Sequence, residues 1–310
     1  MLDILEKNSK IIVNTDLDGI FSALILHNYL NCEIAGFCNS AETVWIDKNK
    51  IDSIYNAVYI DMFVAQKDVV CIDQHIIAID EEHSRKIRSL GTKCNPNLEN
   101  PRFHVPSTSY YLKYPFGTVH YIIANLEKNK VNLDLQLDNI VQPNLSFKDL
   151  LLRADDTMKT TVSSSYAQNA QEWWKWLKKY SNHGKTVTKL CDYLYSLNAT
   201  EVTEKKNDTT KLLMDIYHCN SPDGGFKNIC EITGFVQDKV KNYIRYLATI
   251  SRLNVFDLNM KLDAKTGEAK RISLNARQLE VIRNMNSKVF SYAFVRSAER
   301  PANFSYTVMN

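Results

Sequence analysis

Short apolar runs alternate with helix-like stretches through the first quarter of the chain. Lys10-Ile11-Ile12-Val13-Asn14 is a continuous apolar run, the pattern of a strand buried on both faces. The polar turn Thr15-Asp16-Leu17-Asp18-Gly19 follows, and Ile20 to about Leu30 has helical composition. Glu33 to Phe37, Ala57 to Ile60 and Val69 to Ile72 predict three further strands, and the last two run straight into an aspartate. Strand, helix and strand at this spacing imply crossover connections and a parallel sheet.

Between about Gly117 and Ile250 the pattern turns helical. Helices are predicted over Val119 to Leu126, Phe147 to Arg153, Ala170 to Tyr180 and Val187 to Leu197, with polar loops at Lys205 to Asp208 and Asn220 to Gly225. The tail alternates again. Asn254 to Leu258, Ala269 to Leu274, Val289 to Val295 and Asn303 to Val308 predict strands, with a helix over about Ala276 to Met285. The expected fold class is α/β: a parallel-sheet N-terminal domain (1–160), a helical connector (161–250) and a smaller C-terminal α/β domain (251–310).

Composition narrows this picture a little. The 310 residues are 45% hydrophobic and 24% charged, an ordinary globular balance. No apolar run reaches the ~18 residues of a membrane span, and MLDILEKNSK lacks a signal-peptide core. Seven cysteines lie singly, with no CxxC pair, which points to reduced thiols and a cytoplasmic protein without a cysteine zinc site. A net charge of +3 does not by itself mark a nucleic-acid binder.

The aspartates carry the chemistry. In open parallel sheets ligands bind beyond the carboxyl ends of the strands, and here those ends deliver Asp16 and Asp18, then Asp61, then Asp73 with His75. Carboxylates gathered on one rim repel one another unless a cation neutralises them. A pair of divalent metals would suit phosphoryl chemistry. The alternative for each aspartate taken alone is a strand end opening a turn.

In this order the residues resemble the DHH superfamily of phosphoesterases. Asn14-Thr15-Asp16-Leu17-Asp18-Gly19-Ile20-Phe21-Ser22-Ala23 looks like its first motif, and Asp61 after Val58-Tyr59-Ile60 is similar to the second. Asp73-Gln74-His75 stands where the name-giving Asp-His-His falls, Pro106 to Tyr111 resembles a Ser-Thr stretch, and Asp156-Thr157 resembles the fourth motif. The resemblance spans about residues 9–160. It implies a hydrolase, an exonuclease or phosphodiesterase, with Mn²⁺ or Mg²⁺ as cofactor. Its ligands would be Asp16, Asp18, Asp61 (bridging) and Asp156, with Asp155 the alternative to Asp156. His75 would contact substrate phosphate or support the metal shell, and Asp61 and His75 would be the catalytic pair. Ser107 and Thr108 would touch phosphate, or simply cap a helix.

Two positions depart from the family. Asn14 stands where many members have histidine, and Gln74 replaces the first histidine of the signature, normally a metal ligand. Both put an amide where a stronger ligand is expected. Either coordination shifts to oxygen donors with Mg²⁺ or Mn²⁺, or one metal is lost and the protein binds without cutting. Four surviving aspartates favour retained chemistry, since their repulsion is costly without metal.

Elsewhere the signals compete. Residues 228–247 resemble a helix-turn-helix, with Lys239, Lys241 and Arg245 toward phosphates, or else form a helical hairpin with a basic face. Arg296 and Arg300 follow the strand Val289 to Val295 and would pair with substrate phosphate, unless they are ordinary surface arginines. The tail shows no glycine-histidine signature. Trp173, Trp174 and Trp176 could stack on bases, but at helical spacing they fit a core better. The expected partner is a short or single-stranded nucleic acid, or a nucleotide, with no membrane. The rival functions are a silent nucleic-acid-binding relative and a DNA-binding regulator.

Overall fold

The computed structural model describes residues 1, 3–5, 9–39, 42–102, 110–142, 144–155, 157–158, 164–273, 289–295 and 303–309. Its centre is strand β1 (Lys10–Asn14), flanked by β2 (Glu33–Cys38) and β4 (Val58–Ile60), both parallel to it. Beyond β4 lie β5 (Cys71–Ile72) and β6 (Lys93–Cys94), also parallel. Beyond β2 the sheet turns antiparallel through β3 (Thr43–Ile46), β9 (Asp263–Ser273), β11 (Asn303–Met309) and β10 (Val289–Val295). The order β10-β11-β9-β3-β2-β1-β4-β5-β6 therefore reverses direction around β1, which makes its carboxyl end a topological switch point. Strands β7 (Ile140–Gln142) and β8 (Leu145–Ser146) form a separate small pair.

The sheet is mixed, where an all-parallel N-terminal sheet was expected. The C-terminal strands, read from sequence as a small unit of their own, hydrogen-bond into the same sheet. Its β10 edge curls back over the loops that follow β4 and β5. Ala65 donates its N–H to the Phe290 carbonyl (2.7 Å), Phe294 to that of Ile76 (3.1 Å), and Phe63 meets Tyr292 edge-on.

Side chains alternate across β1, so Ile11 and Val13 join one core and Ile12 the other. The first core lies under helix α1 (Leu17–Leu30), which is apolar all round and buried from Leu17 to Leu26. Asp16 caps its start by accepting from Gly19 N–H, and Asn31, left-handed at φ 55°, ends it. After α2 (Glu81–Arg88) and the short α3 (Pro96–Glu99) come α4 (Thr118–Lys128), α5 (Phe147–Arg153), α6 (Ser164–Tyr180), α7 (Lys185–Ser196), α8 (Ala199–Lys211) and α9 (Asp238–Ser251). Helices α4, α5 and α9 pack on α1. Among the described residues no helix is long and apolar enough to cross a membrane.

Three sequence readings give way here. Residues 254–258 alternate in burial, with Phe256 and Leu258 inward, yet form no strand. The Asn28 side-chain amide takes both backbone groups of Asn254, the role a partner strand would play. Lys205 to Asp208, expected as a loop, lie inside α8, whose start is fixed by an Asn198–Glu201 capping box. Residues 228–236 form a turn and not the first helix of a helix-turn-helix. Cys230 bridges Val236, Phe235 bridges Lys261, and Gly234 sits at φ +85°. Lys239 lies over the Phe226 ring, 5.7 Å from its centroid, and Lys241 approaches Asp238. The helix expected over 276–285 lies outside the described residues.

Trp173 and Trp174 are buried, Trp173 donating its indole N–H to the Leu112 carbonyl (3.1 Å), while half-buried Trp176 stacks on Tyr180. The core reading of the tryptophans stands. Trp173→Ala is expected to lower the unfolding free energy by about 3–5 kcal/mol, the usual cost of emptying a buried aromatic site, measured by urea denaturation.

Candidate metal centre

Strands β1, β4, β5 and β6 each end on a polar side chain or run straight into one. Asn14 closes β1, with Asp16 and Asp18 just beyond. Asp61 follows β4 directly, Asp73 follows β5, and Asn95 follows β6. Asp61 still donates its N–H to the Ile72 carbonyl (2.8 Å), but its φ is +60°, a left-handed conformation that aspartate tolerates better than most residues. That turn breaks the strand where its carboxylate is needed. Asp18, Asp61 and Asp73 are buried, whereas Asp16 and His75 open onto a cavity of about 620 Å³.

The carboxylates are held by N–H and O–H donors. Gly19 N–H donates to Asp16 Oδ1 (2.9 Å) and Asn14 Nδ2 to Asp16 Oδ2 (2.6 Å). Asn14 Nδ2 also donates to Asp61 Oδ2 (3.0 Å), and the Thr118 hydroxyl to Asp61 Oδ1 (2.7 Å). Asp18 receives the first amides of α4, from Thr118 (2.7 Å) and Val119 (2.8 Å), where the helix dipole favours negative charge. Gly117 permits this approach, because a Cβ there would lie 2.8 Å from both Asp18 oxygens. Asp73 pairs with His75 Nδ1 (2.5 Å) and accepts from Asn95 Nδ2 (3.0 Å).

These donors do not neutralise the charge. Burial raises the Asp16 carboxyl well above the ordinary range, and Asp61, Asp223 and Asp18 add to the rise. Burial does the same to Asp18, with Asp61 next, against the Val119 amide. Asp61 is raised by burial and by Asp73, while His75, Thr118 and Asn14 pull it down. Burial opposes charge on His75, but the Asp73 carboxylate outweighs it and lifts the imidazole to about 10.

Two observations test whether a cation fits. Asp61, Asp73 and His75 each offer a ligand atom, and these atoms lie within 4.8 Å of one another. Gln74, 2% exposed, has a buried Oε1 with no hydrogen-bond partner. Such an orphaned oxygen costs about 1–3 kcal/mol in a dry site. Two carboxylates with one imidazole suit a cation such as Mn²⁺ or Mg²⁺. The donor set fits.

Of the residues singled out in the sequence, Asn14, Asp16, Asp18, Asp61 and His75 come together, and Gln74 lies between two of the cluster's members in the chain. Asp155, left-handed at φ 54°, lies 3.8 Å from Lys113 Nζ, close enough to Asp18 and His75 to affect both. Asp156, Ser107, Thr108, Arg296 and Arg300 lie outside the described residues. The sequence reading did not make Asp73 a ligand or foresee Thr118, Asn95 and Asp223. Asp73 was visible as a strand end, but no spacing links Thr118 to residues 100 and 57 positions away. The loop at 220–226 reaches the site through Leu17 N–H on the Asp223 carbonyl (2.9 Å) and Phe226 N–H on Thr15 Oγ1 (3.2 Å). Lys227 and Arg271, also unforeseen, line the same cavity. The chain matches no protein-family model, no curated protein and no solved structure.

Because the folded protein holds protons on Asp16, Asp18 and His75 that the unfolded chain releases, stability without metal must fall as pH rises. In EDTA the urea midpoint is expected to drop from about pH 5 to about pH 8, and less steeply in Asp16→Asn. In an NMR titration of the metal-free protein His75 is expected to titrate near 10, and Asp73→Asn should return it toward the ordinary ~6.5.

Proposed function

We propose that this chain is a divalent-metal-dependent phosphoesterase acting on short or single-stranded nucleic acids or small nucleotides. The observation that carries the reading is the clustering of Asp16, Asp18, Asp61, Asp73 and His75 from three separate strand ends, with Asp16 and His75 opening onto one cavity. The resemblance of the same residues to the DHH motifs supports it, with Asp16, Asp18, Asp61 and Asp156 in the ligand positions. Asp61, Asp73 and His75 would hold a Mn²⁺ or Mg²⁺ ion. Bound there, the ion would supply Lewis-acid stabilisation of charge on a phosphoryl oxygen.

The remaining work falls to the chain. His75 lines the cavity with Nδ1 paired to Asp73, so its other nitrogen, Nε2, would serve either the ion or a phosphate oxygen, not both at once. Lys227 and Arg271 line the same cavity, and a guanidinium pairs bidentately with phosphate. Positive charge facing an acidic cluster lets one phosphate bind between them. The buried Met62, Phe63, Phe226 and Tyr292 give the cavity an apolar lining against which a sugar or base can rest. The turn at 228–236 removes the geometric support for a DNA-reading helix-turn-helix.

Purified protein with Mn²⁺ is expected to hydrolyse at least one member of a panel holding a short oligonucleotide, a cyclic dinucleotide and pyrophosphate. EDTA should stop it, and Asp61→Ala should lower the rate by about 10³-fold or more, the scale for losing charge stabilisation in a transition state. Equal rates for wild type and Asp61→Ala on every substrate would leave a binding protein as the alternative. Arg271→Ala should raise KM more than it lowers kcat, as expected when a group holds substrate and transition state alike.

A further inference from the structure

We infer that this chain holds one divalent cation, not a pair, because the Asn14 side-chain amide occupies the place between Asp16 and Asp61 that a second ion would need. The inference rests on the reading of the site as a metal centre and specifies how that centre is built.

Every carboxylate oxygen of Asp16, Asp18, Asp61 and Asp73 already has a hydrogen-bond partner in the protein, so what separates the two places is which donor a cation would have to move. Those of Asp18 are engaged by the backbone at the start of α4, in contacts a side-chain rotation cannot release without moving Asp18 itself. The gap between Asp16 and Asp61 is closed differently. Both bonds there come from one nitrogen, Asn14 Nδ2, whose two hydrogens reach Asp16 Oδ2 and Asp61 Oδ2.

The orientation of that amide is fixed by its other end. Asn14 Oδ1 accepts the Thr15 backbone N–H at 2.8 Å. A flipped amide would set its nitrogen against the Thr15 N–H and its oxygen against two carboxylate oxygens, three repulsions in place of three bonds. The NH₂ group therefore stands between two carboxylates as a fixed pair of donors. A cation between Asp16 and Asp61 would have to displace it and leave the Asn14 NH₂ without its two acceptors.

The Asp61–Asp73–His75 side is different. The closest contact within it is the 2.5 Å pairing of His75 Nδ1 with Asp73 Oδ1, which would yield if Nδ1 served a metal and would persist if Nε2 did. Two carboxylates with a neutral imidazole balance one divalent charge.

The test is a metal count on the full-length protein. Metal-free chain dialysed against excess Mn²⁺ is expected to retain one ion per chain, with an electron paramagnetic resonance spectrum free of Mn–Mn coupling. Asn14→Asp replaces the two donors with an oxygen ligand at nearly constant shape, and should raise the count to two and produce a coupled spectrum. As a second arm, Asp16→Asn should change the Mn²⁺ dissociation constant of the wild-type site by less than about fivefold. Asp61→Asn should weaken that site by about 100-fold or more, beyond the usual cost of losing a supporting group. Two coupled ions in the wild type would overturn the inference and leave the hydrolase reading intact. So would an Asp16→Asn loss as large as that of Asp61→Asn. No bound Mn²⁺ at all would overturn the inference and the metal-centre reading together.

Discussion

The fold is organised around negative charge held out of water at the carboxyl end of β1. Asp18, Asp61 and Asp73 are buried, and burial raises the carboxyls of Asp16, Asp18 and Asp61 above the ordinary range. The structure answers with donors from many directions: the first turn of α1, the first two amides of α4, the Thr118 hydroxyl and the amides of Asn14 and Asn95. Local oddities follow from that demand. Asp61 turns left-handed, and residue 117 must be glycine so that α4 can begin against Asp18.

Strand order makes the gathering possible. Because β2 and β4 leave β1 in opposite directions, the loops on either side splay and leave a crevice above its end. Late parts of the chain then wall it. The loop at 220–226 binds the first turn, β9 brings Arg271, and β10 folds back over the loops after β4 and β5, pinned by Ala65, Ile76 and the Tyr292 hydroxyl on the Ile77 carbonyl. The result is a cavity in which Asp16 and Asp223 stand and Lys227 and Arg271 line the same space, so charges of both signs meet in it.

The two amides that depart from the family pattern behave differently from each other. Asn14 is fully committed, donating twice and accepting once. Gln74 has its carbonyl oxygen buried and unpartnered. One amide is a structural bracket between two carboxylates and the other has an idle oxygen, so the two positions do different things in the folded chain.

Much of this was legible in the sequence. Continuous apolar runs announced β1, β2 and β4, and Phe147–Arg153 and Val289–Val295 were read with the boundaries they have, because burial on one face or two leaves a period in the residues themselves. The aspartates at strand ends were visible for the same reason. Period alone could not say whether residues 254–258 would find a strand partner; they found the Asn28 side chain instead. Nor could it reveal that β3 and the C-terminal strands extend the same sheet, that Thr118 would serve Asp18 and Asp61, or that Arg271 would face the cavity. The sequence determined which segments bury apolar surface and which residues carry charge. Which charges meet was decided by the tertiary structure, because hydrogen bonds between residues a hundred positions apart depend on strand order and loop closure and leave no local period to read.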